Sequence, residues 1–169
     1  MRIKYLALVM MIAFASVDAT AQTKQPQPKL KDTLQWMQSS LDGYGNEYLA
    51  RETRSVRVTD FSECQIHFTY TTMKEDRETY RMDFFFNLAD IDPAYVTFYE
   101  FPKGHIREGF GVFGAGVQND AKKIKVQGPP WANEPLSGIA FNFDGDYGVR
   151  FTKAFKHAVN LCGGKPSIF

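Results

Sequence analysis

The chain has little of what usually marks a catalytic or metal-binding protein. It carries two cysteines and three histidines, and its 20 Lys and Arg are almost matched by 19 Asp and Glu. That balance leaves no field to draw in nucleic acid or an acidic membrane surface. The histidines His67, His105 and His157 stand far apart. Cys64-Gln-Ile-His67 has a metal-like spacing, but residues three apart on a strand point to opposite faces, so no metal is expected. No nucleophile elbow is present, and no Ser or Cys can be matched to a His. No catalytic residue and no cofactor follow from the sequence, and the protein is read as a non-enzyme.

Long apolar runs are absent as well. The longest, Tyr5 to Ala15, spans 11 residues, too few to cross a hydrocarbon core of ~30 Å. It follows the basic stretch Met1-Arg-Ile-Lys4 and precedes Ala19-Thr20-Ala21, the pattern of a signal peptide over 1–21 cleaved after Ala21. The first cysteine is Cys64, so no residue follows the run to carry a lipid anchor. The chain is therefore expected to be exported, to the periplasm or beyond the cell, with no membrane span after cleavage. Residues 22–169 keep 18 charges of each sign once Arg2, Lys4 and Asp18 are removed.

What the chain does hold is aromatic: 15 Phe and 8 Tyr, as expected when strands supply most of a core. Residues 22–29 (QTKQPQPK) form a polar, Pro-bearing leader, and 30–169 read as one domain. Leu30, Leu34, Met37 and Leu41 mark a first helix, ended by Gly43-Tyr-Gly45. From about residue 50 the apolar period changes from 3.6 to 2. Strands are expected at Val56–Val58, Cys64–Tyr70, Thr79–Leu88, Tyr95–Phe101, Lys122–Gln127 and Ile139–Phe143. Lys74 to Glu78 reads as a solvated hairpin tip. The glycine-dense stretch Gly104–Gly116 is expected to form a further strand, irregular or bulged.

The chain closes on an amphipathic helix over about 146–162. Phe151, Ala154, Phe155, Ala158, Leu161 and Cys162 fall on one face, with Val159 off the stripe. Asp144 and Asp146 suit its N-terminus and Gly163 its stop. These elements predict an α+β fold: about seven antiparallel strands in a roll or barrel, with an N-terminal helix and a closing C-terminal one. By fold analogy it is pleckstrin-homology-like, and such a fold hosts many roles.

Two familiar patterns lose their usual meaning in this setting. Gly109-Phe-Gly-Val-Phe-Gly114 satisfies G-x-G-x-x-G, but no helix starts after it to meet a pyrophosphate. Asp144-Gly-Asp146 lacks the further oxygen ligands of a calcium loop. The aromatic excess remains: Tyr95, Tyr99, Phe101, Phe110, Phe113, Trp131 and Phe85 are not all assigned to the core by alternation. Of these, Tyr95, Tyr99, Phe110, Phe113 and Trp131 are the candidate ligand or partner surface. The competing reading is a thick aromatic core between sheet and helix.

The cysteines give one more expectation. Cys64 shares a strand face with Ile66, Phe68 and Tyr70, and Cys162 shares a helix face with Phe155, Ala158 and Leu161. Both faces point into the core, and export permits a disulfide. A Cys64–Cys162 bridge is expected, against the alternative of two buried thiols.

Three stretches together carry a resemblance: Leu34-Gln-Trp36-Met, Asn87-Leu-Ala-Asp90-Ile-Asp92-Pro93, and Phe151-Thr-Lys-Ala-Phe-Lys-His-Ala-Val-Asn-Leu-Cys-Gly-Gly164. The chain resembles a group of small exported bacterial proteins of unassigned activity, most specifically through the Lys-His-Ala…Leu-Cys-Gly-Gly ending. The resemblance implies a helix–barrel–helix domain and brings no catalytic residues. The function expected is an exported binding or interaction domain. The partner would be an unknown protein; the alternative is a barrel-type carrier of a small apolar ligand.

Overall fold

A computed structural model describes residues 28–44, 46–49, 52–75 and 77–167; the expected signal peptide 1–21 and most of the leader 22–29 lie outside them. Helix α1 (Leu30–Tyr44) leads into strands β1 (Asn46–Leu49), β2 (Glu52–Ser62), β3 (Gln65–Lys74) and β4 (Arg77–Asn87). Two 3₁₀ turns, Leu88–Asp90 and Pro93–Tyr95, precede β5 (Thr97–Glu100). Then come β6 (Phe110–Gly116), β7 (Lys125–Gln127), β8 (Gly138–Asp144) and helix α2 (Gly145–Leu161). The class is α+β, and every strand pairing is antiparallel. The strand β1 was not anticipated from the sequence.

The strands form two sheets, ordered β1-β2-β3-β4-β7 and β5-β6-β8. The expected barrel does not close. Among the described residues, the sheets are stitched by isolated bridges at Ile91–Val117 and Ile124–Leu136. The short β7 ends the larger sheet, and β8 continues only through the reciprocal Ile124–Leu136 backbone bonds of 3.1 and 2.9 Å.

The larger sheet follows from alternation and tight turns. Val56, Val58, Ile66, Phe68, Phe84 and Phe86 are buried on its inner face. The β2–β3 connection needs only Glu63 and Cys64, since Ser62 pairs with Gln65, and Glu63 takes φ +51°. Positive φ at the first turn residue matches the strand twist. Lys74 pairs with Arg77 across the charged tip, where the described side chains are exposed.

Helix α2 lids this core. Asp144 caps it, its carboxylate accepting from the Tyr147 N–H at 3.3 Å. The far end closes as a Schellman motif: Gly164 N–H donates to the Val159 carbonyl and Gly163 N–H to Asn160, with Gly163 at φ +83°. Such a turn needs a left-handed residue, which glycine supplies without steric cost. Tyr147, Phe151, Phe155, Ala158 and Val159 are buried. The expected stripe erred at its end, because Leu161 is 47% exposed and Val159 fully buried. At about 100° per residue, Val159 lies about 40° from Phe155 and Leu161 about 120°.

The Cys64–Cys162 disulfide is present, with Cα atoms 5.7 Å apart and a sequence separation of 98. Cys64 sits in the β2–β3 turn and not within a strand. The bridge therefore fastens the C-terminal end of α2 to a hairpin corner.

The glycine-dense strand also differs from expectation. β6 is regular, paired on both sides without a register shift. A Cβ on Gly111 would lie 2.3 Å from the Phe98 ring, and one on Gly148 of α2 would lie 2.1 Å from the same ring. The two glycines make room for Phe98 between β6 and α2. They are packing positions, not kinks.

Candidate functional site

Register decides which side chains share a face, because directly opposed residues in an antiparallel pair project the same way. Phe98, Phe113 and Phe141 are aligned across the smaller sheet and point toward α2. The outer face then carries Thr97 and Tyr99 from β5, Phe110, Val112, Gly114 and Gly116 from β6, and Gly138, Ala140, Asn142 and Asp144 from β8. Asp144, at the very end, is the one charged side chain in that set. Tyr99 is 63% exposed. Tyr95, 50% exposed, lies against the floor, its Cβ 3.1 Å from where a Gly116 Cβ would stand.

A cleft of about 230 Å³ adjoins this face where the β3–β4 hairpin meets β8. Tyr70, Tyr80, Met82 and Phe84 line one side, and Val112, Ala140, Phe141 and Asn142 the other. The rings form a chain: Tyr70 to Phe141 at 6.1 Å, Tyr70 to Tyr80 at 5.7 Å, and Tyr80 to Trp131 at 6.0 Å. Trp131 stands 73% exposed in the turn Pro130–Ala132. Burial, with the neighbouring Tyr80 adding to it, pushes the Tyr70 phenol up to about 12. Its hydroxyl thus stays neutral at physiological pH.

Of the five aromatic residues singled out in the sequence, Tyr95, Tyr99 and Phe110 share this outer face, and Trp131 flanks its cleft. Phe113 does not belong with them. It is fully buried, packed at 5.2 Å against both Phe151 and Phe155. Of the two further aromatics without a core assignment, Phe101 stacks on His105 at 4.6 Å, and Phe85 stacks on His67 at 4.1 Å on the larger sheet. Sequence alternation gave Tyr70, Tyr80 and Met82 to the inner face correctly. It carried no sign that the hairpin's far half leaves part of that face open.

The outer face of the larger sheet is charged by contrast. His67 Nε2 lies 2.9 Å from Asp83 Oδ1, Thr69 Oγ1 donates to the same oxygen at 2.7 Å, and Arg81 grips both carboxylate oxygens, Nε donating to Oδ2 at 3.0 Å and Nη2 to Oδ1 at 3.1 Å. Burial pushes the Asp83 carboxyl up, but hydrogen bonds from Arg81, Thr69 and His67 outweigh it and hold it below its ordinary value. The threonine hydroxyl donates to the carboxylate and not to the imidazole. That geometry neutralises Asp83 and does not activate a nucleophile.

Metal chemistry finds no purchase at the spacing noted earlier, since Cys64 is disulfide-bonded. Among the described residues, no three His, Cys, Asp or Glu come together as a ligand set. Gly109 lies at a turn with φ +87° and 110–114 run on as strand, so G-x-G-x-x-G makes no phosphate cradle. No family model, curated protein or solved structure matches the chain.

Among the described residues no helix is long and apolar enough to cross a membrane. The disulfide fits an oxidising compartment.

Proposed function

We propose that the protein is an exported, non-enzymatic binding domain that receives its partner on the outer face of the smaller sheet. The observation that carries this reading is the placement of Tyr95, Tyr99 and Phe110 on one nearly uncharged face that continues into the Trp131 cleft. Tyrosine and tryptophan on fixed backbone offer large amphipathic contact area at low entropic cost. Export rests on the signal-like segment 1–21 and on the disulfide. The resemblance to small exported bacterial proteins is in keeping with it. The two-sheet arrangement closed by α2 is read as an open roll of pleckstrin-homology type, supported by the β1–β4 meander and the separate β5-β6-β8 sheet.

The carrier reading has less support. Phe68, Phe113, Phe143, Phe151 and Phe155 are fully buried and lie ring against ring between sheets and helix. An apolar ligand would be left with the open cleft.

A photo-crosslinking residue placed at Thr97, with a control at Asp60 on β2, tests the binding face. Expressed in the native compartment, the Thr97 probe is expected to give a covalent adduct that the Asp60 probe does not. Equal adducts at the two positions, or one at Asp60 alone, would contradict the assignment.

A further inference from the structure

The residues that follow helix α2 do more than end it. Beyond the Cys64–Cys162 bridge, residues 163–167 run back over the seam where the two sheets meet. Gly164 passes so close that a Cβ there would lie 2.5 Å from Val159 Cγ1 and 2.8 Å from the Ile91 carbonyl oxygen. Lys165 and Pro166 are exposed. Ser167 is half-buried; its N–H donates to Asp92 Oδ2 at 2.6 Å, and its Oγ accepts from the Asn119 N–H at 3.0 Å. Asp92 follows Ile91, and Asn119 comes two residues after Val117, the two partners of a bridge that stitches the sheets. One serine thus clasps both flanks of that stitch.

Polar bonds and not apolar burial fasten the segment. Gly164 and Ser167 are its residues withdrawn from solvent, and neither adds an apolar side chain. Segments of this kind open locally while the core stays folded. The point of attachment is a carboxylate. Asp92 is 1% exposed, and its Oδ1 accepts from the Ala94 N–H at 2.7 Å, so both oxygens are engaged. A proton on Asp92 turns one acceptor into a donor that faces an N–H. Ala94 is two residues away in a turn that Pro93 stiffens, so Ser167 is the partner able to leave.

The surrounding charges favour the ionised form. Lys156 of α2 acts on Asp92, Asp90 is paired with Lys123, and His157 is bonded to the Pro28 carbonyl. Asp120 and Lys165 are exposed. Burial pushes the Asp92 carboxyl up, but the Ser167 side chain and backbone, with Ala94 and Lys156, hold it below its ordinary value. The clasp is therefore complete at neutral pH and is lost as pH falls through the folded value.

We infer that residues 163–167 form an acid-released strap over the seam between the sheets. While Asp92 is ionised, Ser167 ties it to the Asn119 turn. When Asp92 takes up a proton the strap lifts, and the Cys64–Cys162 bridge keeps α2 in place.

NMR of the ¹⁵N-labelled protein, titrated from about pH 7 to about pH 2.5, tests this on the backbone amides. The Ser167 and Asn119 signals are expected to move together, with one midpoint below the ordinary aspartate value of about 3.9. Amides of β4 and α2 should keep their native positions over the same range. Asp92→Asn should place both signals near their acid positions already at neutral pH, and Asp90→Asn should leave the wild-type midpoint unchanged. Ser167→Pro, with no N–H to donate, should bring the Asn119 signal to its acid position with Asp92 intact, so the test does not hang on one variant folding. Signals that stay fixed to the lowest pH overturn the inference. A shift that comes only with the loss of β4 also overturns it, because the strap would then be part of the core. An unchanged midpoint in Asp92→Asn assigns the titration to another group and does the same.

Discussion

Two glycines on one strand separate what packing demands from what chain flexibility would suggest. Gly111→Ala drives a methyl into the Phe98 ring and to 2.5 Å from the Tyr99 carbonyl oxygen, and overpacking of this kind costs about 1–3 kcal/mol. Gly114→Ala meets nothing nearer than Thr97 Oγ1 at 3.6 Å and should be neutral or stabilising by up to ~1 kcal/mol. Denaturant melts of the two variants check the difference; similar losses would show that Phe98 does not sit where described. Asp92 gives a second test. It is 1% exposed, and its carboxylate accepts from the Ser167 and Ala94 N–H groups at 2.6 and 2.7 Å. Burial pushes its pKa up, but these bonds outweigh it and leave the folded value below the ordinary one. Its contribution is therefore complete above the unfolded-state pKa and fades as pH falls through the folded value. Wild type should lose stability more steeply than Asp92→Asn as pH drops below about 4. Parallel acid profiles would remove Asp92 from the account.

At the scale of elements, the sequence was legible where one period governs one face. The α2 stripe, its Asp144 cap and its Gly163 stop could all be read, and so could the pairing of Cys64 with Cys162. The end of the stripe was misread, since Val159 stands one i+4 step from Phe155 on the buried face, where the Gly164 turn also folds back over it. β6 was misjudged because one of its glycines, Gly111, answers to the Phe98 ring of β5, a contact that no local pattern records. Two measurements follow. Removing the bridge by Cys64→Ser with Cys162→Ser should cost up to ~4.7 kcal/mol by the chain-entropy estimate for a loop near 100 residues; an unchanged midpoint would mean the tie is idle. In hydrogen exchange, Phe110–Gly116 should be protected like β4, while the loop 102–109 exchanges quickly. Fast exchange across both would restore the expectation of an irregular strand.

The whole molecule presents two unlike sheet faces. One carries the His67–Asp83–Arg81 network and the other almost no charge. The aromatic residues of the second face could be picked out by their failure to fit alternation, yet Phe113 could not be told apart from them. Phe110 and Phe113 sit three residues apart on β6 and so face opposite ways, which becomes decisive only once the strand is known to be regular. The cleft was beyond reach, since it depends on how far the β3–β4 hairpin runs past β8. The central claim is that the uncharged outer face is where a partner sits. Ala140→Arg addresses it most directly: the position is exposed, borders the cleft, and gains a bulky cation on the floor of the face. With the crosslinking probe at Thr97, the variant is predicted to keep the wild-type melting temperature and lose the adduct. A fully folded Ala140→Arg protein that forms the adduct at the wild-type level would contradict the account.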